Sequence, residues 1–466
     1  MAPLDRRNLM TIVVTLAAAA AITLLPFPEV FSEDGVRMLA IALVGAVFWI
    51  TECIPIALTG LVVILLQALV GIQPIAQGLG YIATPVNSII FAGFIMATAL
   101  SQYDLDRRIS LNIVAGMGER TDRLLLGIMI ATAFLSMWIS NSAATAIMMP
   151  IALGIIKMAR LPEGSSNLGR ATLIGIAYAA NIGGMGTPVG TPACSITIAF
   201  IDEMLGIEVG FLDWMIRAVP VVIILIPIAW KLLLLMFPVE LDRIQGGTEA
   251  VRAELEDMGP ADRGQRKVMT LFALAVILWI ADSVLPLMSG WLYIASVIIA
   301  LMFVAPGIGV VKWKDAAKEM GWDIFILVGG GLALGSGLIQ TGVIEVIADS
   351  LSGLLAGASP YIIVTFLAFV TAMSITFFSS LTATSTTFVP VSIGLAMQLG
   401  MDAVPLAMVA GLASCMAFLL PANTPPNAIV YSANHFRTHE MMKAGLILTV
   451  LAVVVLSINA NLLWFR

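Results

Sequence analysis

Two short polar stretches lie inside long apolar segments, one in each half of the chain. The first, WISNSAATAIMMP, covers 138–150, and the second, FFSSLTATSTTFVP, covers 377–390. Hydroxyl and amide groups in an apolar segment can bind a carboxylate or a small hard cation, provided that the backbone around them is also free to contribute. The centres of the two stretches are Ser140, Asn141 and Ser142 in the first, and Ser380, Leu381 and Thr382 in the second.

Each polar stretch is followed by an interrupted apolar segment that contains a Thr-Pro pair. NIGGMGTPVGTPACSI (181–196) contains Thr191-Pro192, and LLPANTPPNAIV (419–430) contains Thr424-Pro425. Proline has no N–H and disrupts the helical turn before it, so these breaks free carbonyl oxygens. Half-helix N-termini suit anions and freed carbonyls suit Na⁺. Two interruptions in each half therefore predict a transporter whose site is built from discontinuous helices.

The composition indicates an all-α polytopic membrane protein. Of the 466 residues, 60% are hydrophobic and 11% are charged, whereas about a quarter are charged in soluble domains. Apolar runs of about 20 residues, enough to cross a bilayer, recur along the chain. No basic stripe indicates nucleic acid, and three cysteines without CxxC spacing indicate free thiols. We expect the apolar N-terminal segment to be a retained span and not a cleaved signal peptide.

Hydrophobic runs predict about eleven transmembrane helices and two hairpins. Each arm of the hairpins 123–160 and 360–398 is expected to be too short to cross alone, so each hairpin is expected to be re-entrant and to turn at its polar tip. The expected spans are 9–26, 36–51, 54–72, 86–102, 168–205 (broken), 214–236, 267–285, 290–306, 322–340, 404–434 (broken) and 442–464.

The segments recur in the same order, which predicts two repeats, 36–236 and 267–466, joined by a solvated cytoplasmic linker at 237–266. Residues 1–35 are expected to form an N-terminal helix outside the repeats. Each repeat has an odd number of crossings, so the second copy is inverted. We expect the N-terminus to be cytoplasmic and the C-terminus to be outside. Of the 23 Lys and Arg residues, only Arg37, Arg217 and Arg466 are then placed outside the cell, in agreement with the positive-inside rule.

The predicted centre lacks titratable side chains. The two histidines, His435 and His439, fall at the cytoplasmic end of the tenth span. Proton-coupled carriers keep a titratable group in the membrane, and an enzyme needs a base, metal ligands or an activated nucleophile. We therefore expect neither proton coupling nor enzymatic activity. The glycines in GGGLALGSG (329–337) are interpreted as close helix packing and not as a phosphate loop.

In these motifs and their order, the chain resembles the divalent anion/sodium symporter family, which includes bacterial and animal di- and tricarboxylate and sulfate transporters. The resemblance covers essentially the whole chain and rests on the paired tips similar to Ser-Asn-Thr and on the TPPN-like breaks. It implies a homodimer in the cell membrane. It also implies that hairpins and broken helices form a transport domain that moves as an elevator against a scaffold.

The resemblance also implies roles for single residues. The two tips and the two Thr-Pro breaks would bind substrate, and each half would hold one Na⁺. The implied substrate residues are Ser140, Asn141, Ser142, Ser380, Thr382, Thr191, Pro192, Thr424 and Pro425. The first Na⁺ site would use Ser136, Ser140, Asn141 and a carbonyl near Gly184 to Gly186, and the second would use Thr376, Ser379 and backbone near Asn423.

The sequence departs from the family pattern at both tips and at the first break. Ser142 replaces Thr and keeps the hydroxyl, whereas Thr191-Pro192-Ala193-Cys194 lacks the second Pro and the Asn of the other half. Leu381 stands where Asn is expected, and its side chain can neither donate to a carboxylate nor bind a cation. This weakens the expected second Na⁺ site, with Asn423 as a candidate to compensate. A Ser-Leu-Thr tip is reminiscent of the family's exchanger-type members.

The function expected from the sequence is therefore secondary transport of C4-dicarboxylates such as succinate, malate and fumarate, coupled to Na⁺. A sodium-independent dicarboxylate exchanger is the main alternative, and sulfate or another divalent anion is an alternative substrate. A channel or sensor on the same fold is a further alternative, which two gates on opposite sides of one site would disfavour.

Overall fold

The computed structural model describes residues 6–24, 30–161, 164, 166–285, 288–355 and 357–465. Within these ranges the chain is helical and has no β-strand, apart from an isolated bridge between Arg120 and Arg243. Arg466, the end of the predicted first span at 25–26 and the first five residues lie outside the described residues.

The helices of the first half alternate long apolar segments with short connecting helices. They are α1 (Arg6–Leu24), α2 (Glu33–Thr51), α3 (Ile56–Leu69), α4 (Ile75–Gly80), α5 (Asn87–Gln102), α6 (Leu105–Ala115), α7 (Thr121–Ser136), α8 (Asn141–Met158), α9 (Asn167–Gly184), α10 (Pro192–Leu205) and α11 (Phe211–Met236), with a 3₁₀ turn at Tyr81–Ala83.

The second half begins in the linker and follows the same order of long and short helices. Its helices are α12 (Gly247–Asp257), α13 (Arg263–Val284), α14 (Trp291–Val304), α15 (Trp313–Glu319), α16 (Trp322–Gln340), α17 (Val343–Leu354), α18 (Pro360–Phe378), α19 (Leu381–Leu399), α20 (Ala403–Ala413), α21 (Pro425–Tyr431) and α22 (Thr438–Leu463), with a 3₁₀ turn at Pro421–Asn423.

The apolar helices agree closely with the expected spans. In the described part of the chain, nine helices are long and apolar enough to cross a membrane, and three shorter apolar helices are α3, α14 and α20. For example, the expected span 322–340 coincides with Trp322–Gln340. The chain is thus a multi-pass helical protein, as composition predicted, and the number of crossings stays a prediction.

Both hairpins break where their polar tips were expected. Helix α7 ends at Ser136 and α8 begins at Asn141, whereas α18 ends at Phe378 and α19 begins at Leu381. The expectation that every arm is too short to cross is wrong, because α8 has 18 residues and α18 has 19, and both are apolar enough to span. The helices extend beyond the most apolar part of each arm. Re-entrance of the hairpins stays a prediction.

Helices of one half pack against helices of the other half in matching pairs. Helix α3 packs against α16, and in the matching place α14 of the second half packs against α5. Likewise α21 packs against α8, and α10 packs against α19. Reciprocal contacts of this kind are typical of repeats related by a pseudo-two-fold axis. They place the second half of each broken helix against the opposite hairpin, and so bring the four interruptions into one region.

Close packing around the broken helices depends on small residues. Every residue from Ala171 to Gly184 on α9 is buried. A Cβ added to Gly183 would lie 2.2 Å from the carbonyl oxygen of Ala133, so α7 and α9 approach at backbone distance. Small residues are the usual means of such contact between apolar helices.

The glycines of α16 also mark close helix contacts, as the sequence predicted. A Cβ on Gly330 would lie 2.2 Å from Cα of Gly60 on α3, and one on Gly335 would lie 2.2 Å from the ring of Phe200 on α10. No larger residue fits at these two positions without moving a neighbouring helix.

The linker is more ordered than expected. It contains α12, on which Gly247, Thr248 and Val251 are buried, and α12 packs against α6 and α8. Arg107 of α6 donates from Nε to Oε1 of Glu254 at 2.8 Å. The expected solvated linker is therefore partly buried, because one face of α12 packs against α6 and α8, and its cytoplasmic placement stays a prediction.

Candidate functional site

The first tip is a helix N-terminus capped by its own serine. Ser140 is the N-cap of α8, with extended backbone angles, and its hydroxyl oxygen accepts a hydrogen bond from the N–H of Ala143 at 3.2 Å. Serine is favoured at this position because the side chain satisfies an N–H that the helix leaves unpaired. The positive end of the α8 dipole therefore lies at the tip, where it favours an anion.

A cluster of oxygen atoms lies behind this tip. The hydroxyl oxygen of Ser136 is 2.6 Å from Oδ1 of Asn141 and 2.7 Å from the carbonyl oxygen of Ala180. A hydroxyl has one proton, so Ser136 can donate to only one of the two oxygens at a time. Both Ser136 and Asn141 are buried. Closely spaced oxygens with too few protons between them suit a small cation such as Na⁺.

Two glycines leave room for backbone oxygens beside the cluster. A Cβ on Gly184 would lie 2.2 Å from Oδ1 of Asn141. A Cβ on Gly190 would lie 2.4 Å from the carbonyl oxygen of Gly184 and 2.9 Å from that of Ser136. The ends of α9 and α7 thus each bring one further carbonyl oxygen, those of Gly184 and Ser136, close to Gly190 in the loop between α9 and α10. We name this group, with Ser136, Asn141 and Ala180, the first oxygen cluster.

The first oxygen cluster contains part of the set expected for a Na⁺ site. Ser136, Asn141 and Gly184 come together in it. Gly186 packs against the side chain of Met137 instead, since a Cβ on Gly186 would be 2.9 Å from Cε of Met137. The hydroxyl of Ser140 is engaged in capping α8. Sequence reasoning missed the carbonyl of Ala180 and the role of Gly190, because neither carries a side-chain signal.

The two broken helices are joined by a pair of buried asparagines that sequence reasoning also missed. Nδ2 of Asn181 on α9 donates to Oδ1 of Asn427 on α21 at 3.0 Å and to the carbonyl oxygen of Ala417 at 2.9 Å. Nδ2 of Asn427 donates to the carbonyls of Ala417 and Leu420, both at 2.9 Å. Each asparagine lies in a break motif, and this was the available signal.

The second tip uses the same cap with a tighter turn. Ser380 caps α19 and accepts from the N–H of Ala383 at 3.2 Å, as Ser140 does for α8. Ser379 before it has a φ of 47°, which lets the chain reverse in two residues. Leu381 is half-buried and packs against the apolar core, whereas Thr382 is buried in the first turn of α19.

The residues of the expected second Na⁺ site are arranged differently from the first oxygen cluster. Oδ1 of Asn423 accepts from the N–H of Leu420 at 2.8 Å, and its Nδ2 donates to the carbonyl oxygen of Ile375 at 3.1 Å. The hydroxyl of Thr376 is buried without a hydrogen-bond partner among the residues described. The second hairpin and the second break are therefore joined by the N–H₂ group of Asn423, which donates to the carbonyl oxygen of Ile375, and not by a group of unpaired oxygens.

A narrow cleft of about 50 Å³ opens beside the first tip. It is lined by three of the expected substrate residues, Ser140, Thr191 and Pro192, and by Gly190 and Ser195. The side chains of α5 and α16 close its other wall. The remaining expected substrate residues are not part of this lining: Asn141, Ser142, Ser380, Thr382, Thr424 and Pro425. Oγ1 of Thr424 lies 3.4 Å from Nδ2 of Asn181.

Ser140 also borders a second cavity of about 340 Å³, which extends toward the start of α6. Its wall includes Ser101, Asp106 and Glu319. The pKa of Asp106 is raised to about 6, mainly by burial and in smaller part by the nearby Asp104, against the lowering effect of a hydrogen bond from the N–H of Arg107. The approach to the first tip from this side is therefore acidic.

Comparison with known proteins shows the family of this chain. Residues 6–466 match the family model described as the sodium:sulfate symporter transmembrane region. A sodium-dependent dicarboxylate transporter, SdcS, of Staphylococcus saprophyticus is 34% identical over 93% of this chain and 87% of its own length. SdcS of Staphylococcus aureus is 35% identical with the same coverage.

Two solved transporters have a similar fold at low sequence identity. The YdaH transporter of Alcanivorax borkumensis is 13% identical, with a TM-score of 0.55 over 98% of this chain and 97% of that one. MtrF of Neisseria gonorrhoeae, described with a class of antimetabolite efflux pumps, is 12% identical, with a TM-score of 0.60 over 98% and 94%. At these identities the likeness concerns the fold alone.

Proposed function

Because the chain belongs to the sodium:sulfate symporter family, we propose that it is a secondary transporter that carries C4-dicarboxylates such as succinate, malate and fumarate together with Na⁺. The observation that carries the Na⁺ part is the first oxygen cluster, where Oδ1 of Asn141 and the carbonyl oxygen of Ala180 compete for the single hydroxyl proton of Ser136. Ser136 and Asn141, with the nearby carbonyls, would hold the ion.

The dicarboxylate part rests on the two capped helix N-termini and on the relatives. Ser140 and Ser380 cap α8 and α19 in the same way, so each tip offers a dipole end and hydroxyls to a carboxylate. A ligand with a carboxylate at each end fits two such tips. Relatives at 34% and 35% identity are named as sodium-dependent dicarboxylate transporters, which supports a dicarboxylate over sulfate and a transporter over an enzyme.

In the proposed mechanism the substrate and Na⁺ bind near the tips, and the domain that holds them moves relative to a scaffold. The hairpins α7–α8 and α18–α19 with the broken helices α9–α10 and α20–α21 would form the moving part. The exchanged contacts of α3 with α16 and of α14 with α5 support a separate scaffold. A homodimer, two inverted repeats and a cytoplasmic N-terminus complete this proposal.

Na⁺ can hold the moving domain in its binding-competent form. Asn141 is both the first residue of α8 and a member of the first oxygen cluster. An ion that coordinates its Oδ1 therefore orders the helix N-terminus that faces the carboxylate. Binding of Na⁺ and of the dianion are then coupled through one residue, because each orders the group that the other needs.

The test is uptake of labelled succinate into proteoliposomes under an inward Na⁺ gradient, compared with choline, in empty and in succinate-loaded vesicles. Uptake into empty vesicles that requires Na⁺ is the expected result. Uptake that requires internal succinate and ignores Na⁺ would contradict the symport proposal and establish the second candidate, a sodium-independent exchanger. That candidate is favoured by one observation, the amide of Asn423 that meets Ile375 in the second half.

A further inference from the structure

The two halves can be compared residue by residue around their tips and breaks. Ser140 and Ser380 are equivalent because both cap a hairpin helix with the same bond, and a proline follows ten residues later in each helix, Pro150 and Pro390. This register pairs Ser136 with Thr376 and Asn141 with Leu381. The Thr-Pro pairs align the breaks in the same way.

In the breaks, the residue directly before Thr-Pro is Gly190 in the first half and Asn423 in the second. The asparagine therefore stands at the tip in the first half and directly before Thr-Pro in the second half. The first half has its amide at the tip, in Asn141, and no side chain before Thr191. The second half has no amide at the tip, where Leu381 stands, and carries one before Thr424.

The missing side chain at Gly190 leaves the space between two carbonyl oxygens open. A Cβ at that position would come within 2.4 Å of one carbonyl oxygen and 2.9 Å of another. The amide at Asn141 presents Oδ1 to the same region, since a Cβ on Gly184 would lie 2.2 Å from it. No side chain therefore places a donor between the two carbonyls at Gly190, and the amide donor of Asn141, Nδ2, lies 2.9 Å from the Cβ position of Gly184.

In the second half, the side chain of Asn423 fills the equivalent position. The orientation of its amide is fixed, because the N–H of Leu420 can only donate and the carbonyl of Ile375 can only accept. The nitrogen end therefore points at the carbonyl of the hairpin, and the oxygen end is already bound by a backbone N–H. Asn423 is buried, with 1% of its surface exposed.

The unpaired hydroxyl of Thr376 has the same origin. Its equivalent in the first half, Ser136, contacts Oδ1 of Asn141. Leu381 takes the place of that amide, so Thr376 is left without the partner that its equivalent has. One hydroxyl is not enough to bind Na⁺ in place of water, because the neighbouring amide presents a donor and not an oxygen ligand.

We propose that Asn423 takes the place of the second sodium ion. Its N–H₂ group links the second hairpin to the second break through Ile375, a contact that no side chain supplies at the equivalent position of the first half, Gly190. This inference rests on the proposed function and determines its stoichiometry: the chain binds Na⁺ at the first oxygen cluster and not at Asn423.

The electrical consequence follows from the charges that move. A dicarboxylate that carries two negative charges and is accompanied by one Na⁺ moves one net negative charge. An inside-negative membrane potential then opposes uptake and favours release or exchange. A carrier with this stoichiometry is suited to swapping one dicarboxylate for another, for which no net charge moves.

The test exchanges the asparagine back. The double variant Leu381→Asn/Asn423→Gly gives the second half the pattern of the first, and Asn434→Gly is the matched control, because Asn434 is exposed and has a φ of 57° that glycine adopts freely. Two readouts are taken on purified protein: the increase of the thermal unfolding temperature with NaCl against choline chloride, and the reversal potential of succinate transport in proteoliposomes.

For the unmodified protein we expect a Hill slope for Na⁺ of about 1, which should rise toward 2 in the double variant. The net charge moved per cycle, derived from the reversal potential, should fall from one negative charge in the unmodified protein toward zero in the double variant. A slope near 2 or electroneutral transport in the unmodified protein would overturn the inference, as would a folded double variant whose Na⁺ response stays unchanged.

Failure of the proposed function gives a different result. If the unmodified protein shows no Na⁺ response in either readout, Na⁺ coupling at the first oxygen cluster is wrong. The role of Asn423 is then decided by the double variant alone. A Na⁺-dependent stabilisation that appears only in that variant supports the role of Asn423, and its absence there contradicts it.

Discussion

Nδ2 of Asn181 lies 3.0 Å from Oδ1 of Asn427, so the two helix breaks, far apart in sequence, are joined by a direct hydrogen bond between their side chains. Both asparagines are fully buried. The carbonyl of Ala417 accepts from both of them. The halves of the molecule therefore meet at a polar contact inside an apolar core, where the loss of one partner leaves others unpaired.

Asn427→Ala should destabilise the protein by about 1–3 kcal/mol, because it removes the Oδ1 that accepts from Nδ2 of Asn181 and both hydrogen bonds that Nδ2 of Asn427 donates to the carbonyls of Ala417 and Leu420. Thermal unfolding in detergent measures this as a lower midpoint. Asn112→Ala on α6 is the matched control, since Asn112 is exposed and bonds only to its own helix. Equal stability of the two variants would contradict the importance of the buried pair.

Gly184→Ala should weaken Na⁺ binding without removing any proposed ligand. The added Cβ would lie 2.2 Å from Oδ1 of Asn141 and would turn this amide away from Ser136. We expect about a tenfold or greater loss of Na⁺ affinity, read from the NaCl dependence of thermal unfolding. Gly154→Ala in α8 has open space around its Cβ and is the control. An unchanged Na⁺ response in Gly184→Ala would argue against this cluster as the site.

Asn141→Ala should lower Na⁺-dependent succinate uptake about 10- to 100-fold, because it removes an oxygen from the first oxygen cluster and a buried polar partner of Ser136. The protein should stay folded, since Ser140 continues to cap α8. Uptake and size-exclusion profiles are measured together on purified protein. Normal uptake by a folded Asn141→Ala would remove Asn141 from the site.

Thr382→Ala should lower uptake by a similar factor of about 10- to 100-fold if its hydroxyl binds a carboxylate at the second tip. Thr382 is buried in the first turn of α19. Thr387→Ala is the matched control on the same helix, because the hydroxyl of Thr387 bonds to the carbonyl of Ala383 within the helix. Equal uptake by both variants would exclude the assignment of Thr382 to the substrate.

Asp106→Asn should stabilise the protein at neutral pH. The pKa of Asp106 is raised to about 6 by burial, so its charged form is disfavoured in the folded state. This destabilisation develops as the pH rises from the ordinary carboxyl pKa toward 6 and is complete above it. The variant should gain up to about 3 kcal/mol at pH 7.5 and nothing near pH 4. A stability difference that does not change with pH would contradict this account.

The positions of the tips and breaks could be predicted from sequence because they are local. Ser140 and Ser380 cap helices through a bond to the residue three positions on. Pro192 and Pro425 stand at the first position of the helix after each break, where a proline N–H is not needed. The apolar runs predicted the helix bounds closely for the same reason. The lengths of α8 and α18 differ from the prediction, because these two helices continue for 18 and 19 residues.

The packing of the linker could not be read from its composition. Its mixture of charged residues and glycines is typical of a solvated segment, and only contact with α6 and α8 buries Val251 and Thr248. A single exposed or buried valine looks the same in sequence. The tertiary structure decides this, because burial depends on which helices lie nearby.

The sequence by itself determined the helical membrane class, the two polar tips, the two Thr-Pro breaks and the odd position of Leu381, since these depend on residue type and short spacing. Only the tertiary structure decided which oxygens meet. Asn181 finds Asn427 at a separation of 246 residues, and Asn423 finds Ile375 at a separation of 48. Pairings over such distances depend on how the helices cross, which short-range chemistry does not specify.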